Sequence, residues 1–508
     1  MDMRLKRCTS TTTTLQEDVD NRNLDRLTCL SDELLIYIIS SLPTKDAAAA
    51  CASSKRMITN IFHSLTHLNF DDSPISHCSV TPYAIERFPT FVAFVDSVLQ
   101  SYHSRYLTSF SLGVGAPFLE RSRDNHKHRE YRCCNGFCPD LKSTHINAWI
   151  SFPLTFSGLK ELNLRIHVRE EGVIQLPPEV FKCETLEILK LDTNLGLDQA
   201  STYTSFRLPS LKLLSLHAAM IPDDGLVTRL VSSCPILEDL TLLATWKHAC
   251  YISISSPSLR RLSLEVLNKF EEHHSSDLVL ILTPNLEYLY YGGDLASHYN
   301  IINMDRLVKA DLVIENDSLE ITFEVSGQVK LSLLRPLSNV QHLTVNDTFL
   351  EELNHKELKD QLPVFCYLKC LELGFNEGSF WDSILLGFLN RSPVLETLVF
   401  PEGLTVYPEL YDEEELASEQ QFCRTALGNR FDPVFPDKCI SSGEFGLIPG
   451  SQCKCRSNDD SSEHIAKLTA CLCHLFNSSS VDLEELLKRL SLSANCRSFQ
   501  RPLSPAGF

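Results

Sequence analysis

Apolar residues recur along the middle of the chain in one six-residue phrase, at its first, fourth and sixth positions. Alternate side chains of a strand point to opposite faces, so each phrase predicts a strand with its fifth position turned outward. Weaker copies begin at Leu65 and Leu107. The ten clear copies begin at Leu159, Leu186, Leu211, Leu237, Leu259, Leu286, Leu307, Val340, Leu368 and Leu395.

The spacing of these copies predicts a repeat architecture. Successive copies begin between 21 residues (Leu286 to Leu307) and 33 residues (Leu307 to Val340) apart. Most intervals fall in the range of about 20 to 29 residues that is typical of leucine-rich repeats. We therefore expect an α/β solenoid with a curved parallel sheet. The closing asparagine of regular repeats stands at its offset only at Asn194 and Asn376, so irregular helices or loops are expected on the convex side.

Prolines support the strand boundaries. Proline lacks the N–H that a strand ladder needs, so it fits just ahead of a strand. Five copies carry one two positions before their first apolar residue: Pro209, Pro235, Pro257, Pro284 and Pro393.

The outward side chains of the strands are chemically mixed, which suits recognition of a protein better than a small apolar pocket. We choose Tyr290 as the leading anchor, because aromatic residues carry much of the energy of protein interfaces. The residues predicted to face a substrate are Lys190, Asp192, His217, Thr241, Glu265, Tyr290, Thr344 and Glu372, with Asn163, Arg165, Ser215, Ser263 and Asn346 also outward.

A dense helical segment precedes the repeats. Ser31 is suited to cap a helix that begins with two acidic residues, and Pro43 ends that helix. The helix predicts a broad apolar face from Leu34, Leu35, Ile38, Ile39 and Leu42. Thr44 is suited to cap a second helix, and a third is expected from Lys55 to Phe62. So short a segment cannot bury its own apolar surface well, which suggests that a partner covers part of it.

The stretch from Asp25 to Met57 resembles the F-box, and the following Leu68 to Ser73 resembles the linker of plant-type F-box proteins with leucine-rich repeats. The resemblance implies docking onto a Skp1-like adaptor and, through it, onto a cullin. Ser31 stands where the family prefers proline, and Met57 where it prefers tryptophan. The implied adaptor-binding residues are Leu30, Glu33, Leu34, Leu35, Ile38, Leu42, Pro43, Lys55, Arg56 and Met57.

The expected organisation has six parts. A disordered leader (1–22) precedes a three-helix F-box (23–70), a linker region (71–104) and the repeats (105–402). An acidic linker rich in serine and cysteine (403–463) and a partly disordered, helical C-terminal tail (464–508) follow. The FBD module that many relatives carry near the C-terminus is degenerate or absent in this sequence.

Charge and composition exclude several classes of function. The net charge of −19 argues against a nucleic-acid-binding chain, and no apolar run is long enough to cross a membrane. Without a secretory signal, the 19 cysteines are expected as reduced thiols in the cytoplasm or nucleus, or in both.

Catalysis and metal binding are not expected. The chain contains none of the common nucleotide-binding, hydrolase or metalloprotease motifs, so we expect no enzyme activity and no cofactor. The spacing within the one histidine- and cysteine-rich stretch does not match a structural zinc site. That stretch contains His126, His128, Cys133, Cys134 and Cys138.

The resemblance and the repeats together suggest the substrate receptor of an SCF-type ubiquitin ligase. Two alternatives remain open at this point. One is a sensor of the same architecture that binds a small ligand. The other is a scaffold without ligase function, whose F-box has decayed.

Overall fold

The computed structural model describes residues 30–52, 54–72, 82–115, 141–169, 172–198, 206–222, 225–246, 251–268, 277–316, 323–350, 353, 358, 360–374 and 382–399. The chain divides into two compact units. Unit 1 comprises Met1–Glu170 and Thr185–Thr193, and unit 2 comprises Glu171–Glu184 and Asn194–Phe508. The expected leader, acidic linker and C-terminal tail, and the histidine- and cysteine-rich stretch, lie outside the described residues.

Unit 1 joins short helices to four parallel strands in the order β1-β2-β3-β4. A π-helix, Met57–Ile61, and a 3-10 helix, Phe62–Ser64, follow the second α-helix. The elements are α1 (Asp32–Ser40), α2 (Thr44–Cys51), β1 (His67–Asp71), α3 (Pro82–Ser101), β2 (Ser109–Val114), α4 (Ser143–Leu154), β3 (Glu161–Ile166) and β4 (Ile188–Thr193).

The long helix α3 falls in the range expected to be a linker, and the sequence analysis missed it. Val95 and Val98 on this helix are buried. Asp96 accepts a hydrogen bond from the indole of Trp149 on α4, with Nε1 and Oδ1 2.7 Å apart. The helix is therefore packed into the body of unit 1.

Unit 2 contains eight further parallel strands in the order β5-β6-β8-β10-β12-β13-β14-β15. They are β5 (Leu213–Ile221), β6 (Asp239–Trp246), β8 (Arg261–Asn268), β10 (Tyr288–Asp294), β12 (Lys309–Asn316), β13 (His342–Asn346), β14 (Cys370–Gly374) and β15 (Thr397–Val399). Every clear copy of the leucine phrase contributes a strand, two in unit 1 and eight here. The prediction of a long parallel sheet is confirmed.

A second, three-stranded parallel sheet was not anticipated. Its order is β11-β9-β7, with β7 (Tyr251–Ser255), β9 (Leu278–Leu282) and β11 (His298–Ile302). These strands lie between successive strands of the main sheet, in segments for which helices or loops were expected. Ile252 and Val279 are buried, so this sheet closes the core of three consecutive repeats.

Short helices occupy the other connections of unit 2. They are α5 (Leu226–Ser232), α6 (Phe323–Leu334), α7 (Asp347–Leu350) and α8 (Asp382–Arg391), with 3-10 helices Pro178–Lys182 and Arg335–Leu337. The Thr228 hydroxyl on α5 donates to the Ser253 carbonyl of β7 across 3.1 Å. Leu226 and Leu230 are buried, so α5 packs its apolar face into the repeats.

Candidate functional site

Helix α1 carries apolar side chains on two adjacent faces, one buried and one exposed. Leu35 and Ile39, four residues apart, are buried within unit 1. On the other face Leu34 is 52% exposed and Tyr37 is 80% exposed. The exposed side chains Leu34, Tyr37, Ile38 and Leu42 are here named the α1 outer face. Such a patch typically marks a protein interaction site in an otherwise soluble fold.

The other residues implied for the adaptor contact have different surroundings. Glu33, Pro43 and Lys55 are exposed, and Leu30 is half-buried. Leu35 and Met57 are enclosed in the interior of unit 1, with at most 1% of either side chain exposed. Tyr37 was missed, although its position three residues after Leu34 on the same helical stripe was a usable signal.

Arg56 fastens the beginning of α1 to the third helical segment. Its Nε donates to Asp32 Oδ1 across 2.9 Å, and its Nη2 donates to the Leu30 carbonyl across 3.1 Å. Both side chains of the ion pair are about two-fifths exposed, at 44% and 41%. Arg56 therefore has a structural role in holding α1 in place.

Two expected helix caps differ from the structure. Ser31 occupies the N-cap position of α1, but its side chain makes no capping hydrogen bond. The N-cap of α2 is Pro43 and not Thr44. The buried Thr44 hydroxyl instead accepts the backbone N–H of Asn69 on β1, across 2.6 Å. Because β1 is the first strand of the sheet order, this bond gives one of its outer N–H groups a partner and joins α2 to the sheet.

The outward strand residues of unit 1 are held by an internal ion pair and a hydrogen bond. Arg165 on β3 extends over Gly113 on β2 and pairs with Asp71 on β1 at 2.5 Å. His167 Nε2 lies 2.9 Å from Asp192 Oδ1 on β4. Lys190 is half-buried and lies two residues before Asp192 on the same face of β4. The predicted residues Asp192 and Arg165 thus stabilise neighbouring strands.

The outward side chains of unit 2 align in two rows across its strands. Each row consists of residues that are paired in register on neighbouring strands. The first row is Ser215, Thr241, Ser263, Tyr290, Asp311, Thr344 and Glu372. The second row is His217, Leu243, Glu265, Gly292 and Val313. These rows are here named the outward strand face. Six of the eight predicted substrate-facing residues lie on it, all of them half-buried.

Tyr290 lies over the glycine two residues further along its own strand. A Cβ atom added at Gly292 would stand 2.6 Å from the Tyr290 hydroxyl oxygen and 2.8 Å from a carbon of its ring. Only a glycine therefore leaves room for the ring in this orientation. The ring therefore extends along its own strand from the first row toward the second.

Asp311 is the charged centre of the first row. Its Oδ2 accepts from the Tyr288 hydroxyl at 2.8 Å and pairs with Lys309 Nζ at 3.2 Å. Its Oδ1 is shielded from solvent and has no hydrogen-bond donor. The sequence analysis missed Asp311, although it occupies the outward fifth position of the phrase that begins at Leu307.

Two titrating groups border this face. Burial lowers the pKa of His342, and the nearby Lys309 lowers it further, against an opposing effect of Asp311. Burial raises the pKa of the Cys370 thiol, and Glu372 adds to that rise. A neutral imidazole and a protonated thiol are therefore favoured beside the first row.

Asn346, also expected to face outward, binds the backbone of the neighbouring strand. Its Nδ2 donates to the Ile314 carbonyl across 2.6 Å, and its Oδ1 accepts the Ile314 N–H across 3.1 Å. The side-chain amide of Asn346 thereby supplies the two hydrogen bonds that a neighbouring strand would otherwise make with the backbone of Ile314. Its role is to link β13 to the end of β12.

Within the described residues, no group of three histidine, cysteine or acidic side chains is arranged to hold a metal ion. In the same part of the chain, no helix is long and apolar enough to cross a membrane.

The comparisons with known proteins agree with this architecture. A family model described as the leucine-rich repeats of the FBD-associated F-box protein At5g56370 matches residues 146–371. The F-box/LRR-repeat protein At4g14103 of Arabidopsis thaliana is 31% identical over 389 residues, which cover 75% of this chain and 92% of the relative. The F-box/LRR-repeat protein At4g14096 of the same plant is 30% identical over 83% of this chain and 82% of its own length. The chain belongs to the F-box/LRR-repeat proteins.

Proposed function

We propose that this protein is the substrate receptor of an SCF-type ubiquitin ligase. Its α1 outer face binds a Skp1-like adaptor, and its repeats bind a target protein. The protein itself makes and breaks no covalent bond. It contributes proximity between the target and the catalytic subunits, which is worth several kcal/mol of barrier in a transfer reaction.

The exposure of the α1 outer face carries this proposal. Leu34, Ile38 and Leu42 recur at intervals of four and are at least 38% exposed, whereas their neighbours Leu35 and Ile39 are buried. A short surface helix needs only one apolar face to pack against its own domain. A partner that covers the second apolar face would explain why it is exposed in the segment that resembles the F-box.

The direct test places a charge on this face. Leu34→Asp buries an unpaired carboxylate in the adaptor interface, and we expect at least a hundredfold loss of affinity for a purified Skp1-like adaptor, since an unpaired charge at a buried interface costs several kcal/mol. Isothermal titration calorimetry measures the change. The thermal midpoint should stay within about 2 °C, because the side chain is exposed in the free protein.

Val308→Asp is the matched control. Val308 lies in unit 2, is 40% exposed and belongs to neither row of the outward strand face. Its substitution introduces the same charge on a surface without a proposed adaptor contact, so affinity should not change. Unchanged binding by Leu34→Asp, or an equal loss in both variants, would refute this assignment of the face.

A further inference from the structure

We propose that the outer face of the three-stranded sheet of unit 2 binds the amphipathic segment 480–492 of the same chain. The contact is made through Leu278, Leu280 and Leu282 on β9, here named the leucine stripe. Neither the α1 outer face nor the outward strand face takes part, so the inference does not depend on the proposed function. Three observations support it: the composition of β9, the size of the surface, and the pattern of the segment.

Strand β9 is apolar on both of its faces. Val279 and Ile281 are fully buried, whereas the leucine stripe alternates with them and stays partly accessible. A parallel strand is a continuous apolar run when both of its faces are covered, and a strand with one face in solvent alternates apolar with polar residues. The described part of the chain buries one face of β9 completely and leaves the other half-buried. The composition of the strand therefore indicates a further cover over the leucine stripe.

The neighbouring strands extend this apolar surface at two corners. Leu278 is paired in register with Tyr251 on β7, and Leu282 with Ile302 on β11. Tyr251 is 39% exposed and Ile302 is 45% exposed, so apolar side chains cross the sheet diagonally. An apolar strip with a polar rim is typical of a contact surface between proteins or segments. The remaining outward residues form that rim: Ser253, Ser255, His298 and Asn300.

Helices occupy both edges of this sheet. On α5, the Thr228 hydroxyl donates to the Ser253 carbonyl of β7, and α6 contacts β11. A strand added at either edge would have to displace one of these helices. The outer face is therefore the surface through which the sheet can bind another segment.

The size of the surface fits one short helix. Three strands of five residues each form a surface about 15 Å wide and about 17 Å long. A helix of about 12 residues is about 18 Å long and about 10 Å across. A stable interface between two separate proteins buries about 800 Å² on each partner, roughly three times the area available here. A second copy of the chain would gain too little contact, whereas a tethered segment loses much less freedom on docking.

The segment 480–492, which lies outside the described residues, has the matching pattern. Four of its leucines recur at i, i+3, i+4 and i+7, which predicts a helix with one apolar stripe. They are Leu483, Leu486, Leu487 and Leu490. The five charged residues of the segment fall on the opposite side of the same helical projection. An isolated helix of about 12 residues is only marginally stable in water, so this one needs a surface to pack against.

The other helical pattern of the tail fits this surface less well. The stretch 465–476 has apolar residues around most of its circumference, among them Ala470, Cys471 and Phe476. Such a helix is suited to burial on several sides. Residues 400–479 connect β15 to the segment 480–492, and an extended chain covers up to about 3.3 Å per residue. The connection is therefore long enough for the segment to reach the leucine stripe.

Photo-crosslinking of the full chain tests the contact. p-Benzoylphenylalanine replaces Tyr251, the protein is irradiated, and the cross-linked peptides are identified by mass spectrometry. The matched control has the same group in place of Tyr367, which is also an exposed tyrosine of unit 2, at 59%, but lies outside this sheet. We expect at least tenfold more cross-link to 480–492 from position 251 than from position 367, in a product with the mass of one chain.

Substitutions identify the side of the segment that binds. Leu483→Ser with Leu487→Ser removes half of its apolar stripe and should lower the yield of cross-link at least tenfold. The matched control, Glu484→Ser with Arg489→Ser, changes two residues on the opposite side without changing the net charge, and should stay within twofold. Leu280→Ser at the centre of the leucine stripe should lower the yield as much as the double leucine variant. The segment variants keep the test valid if Leu280→Ser does not fold.

Four results would overturn the proposal. A cross-linked product with twice the mass of the chain would assign the surface to a second copy. Cross-links from position 251 to 465–476 would assign it to the other helical pattern. Equal yields from positions 251 and 367 would show no specific contact, and equal losses in the leucine and control variants would show that the apolar stripe does not make it.

Discussion

At the scale of single residues, neighbouring apolar side chains of helix α1 differ in burial: one of each pair is in the interior and the other is at the surface. The pattern of Leu34, Leu35, Ile38 and Ile39 predicted one broad apolar face, because both members of each pair fall on the same side of a helical projection. The structure divides that face between the interior and the surface. Sequence periodicity identifies apolar positions, but the packing of neighbouring helices decides which of them are covered.

For the outward strand residues as well, the sequence shows which positions face outward but not which neighbours they contact. Their half-exposed positions follow from the two-residue period of a strand, which the sequence displays directly. Arg165 and Asn346 turn out to bind neighbouring elements of their own unit. Those partners come from other repeats, so no local pattern indicates them.

Tyr290 provides a prediction at this scale. Tyr290→Ala should lower the amount of target protein captured by the full chain at least fivefold, because aromatic anchors carry much of the energy of protein interfaces. Tyr290→Phe should retain most of the capture, since the ring remains and only the hydroxyl is lost. Gly292→Ala should also lower capture, because its Cβ would stand 2.6 Å from the Tyr290 hydroxyl oxygen and displace the ring. Affinity capture under proteasome inhibition with quantitative mass spectrometry compares the three variants, and unchanged capture by Tyr290→Ala would remove the ring from the proposed surface.

Two cysteines provide a second prediction. Burial raises the pKa of Cys234 to about 11, despite a lowering effect of the Ser233 hydroxyl. The thiolate is the reactive form, so at pH 8 only about one molecule in a thousand carries it at this position. Cys366 is exposed. Brief treatment with iodoacetamide at pH 8, followed by peptide mass spectrometry, should modify Cys366 and spare Cys234 until the protein is unfolded. Equal labelling of the two would contradict the burial of Cys234.

At the scale of elements, the strands of the main sheet were predictable and the connections between them were not. The leucine phrase marks each strand because its apolar positions are buried in every clear repeat, as far as the structure describes them. The strands β7, β9 and β11 lack that phrase, and a short apolar run such as Leu278–Leu282 suits a buried helix as well as a strand. Helix α3 was missed for a different reason: Pro89 lies inside it, and an internal proline argues against a helix.

Two glycines with positive φ, one on a strand and one in a turn, test how tightly neighbouring strands pack. Gly293 on β10 has a φ of 90°, and a Cβ there would overlap the Val266 carbonyl oxygen of β8. Gly172 has a φ of 73°, with no atom within 4 Å of its Cβ position. Gly172→Ala therefore costs only backbone strain, about 1 to 2 kcal/mol. Gly293→Ala adds a clash with backbone and should lower the free energy of unfolding by about 3 kcal/mol or more. Urea denaturation compares them, and equal losses would contradict the close approach of β10 to β8.

At the scale of the whole molecule, the two surfaces lie on different units. The α1 outer face belongs to unit 1, and the outward strand face belongs to unit 2. Their residues share no element, so substitutions on one face should act independently of those on the other. The proposed receptor function requires one molecule to bind its adaptor and its target at the same time.

Bridging is therefore the property that the whole chain should display. A Skp1-like adaptor is immobilised, the full chain is added together with a cell lysate treated with a proteasome inhibitor, and retained proteins are quantified by mass spectrometry. We expect target proteins to be retained only with the full chain, because one molecule must hold both partners. Leu34→Asp should abolish their retention by the adaptor while leaving their capture on the directly immobilised chain unchanged. Tyr290→Ala should abolish retention of the target proteins while leaving adaptor binding unchanged. If either variant lost both activities without unfolding, the two faces would not be independent, and the assignment of one partner to each unit would be wrong.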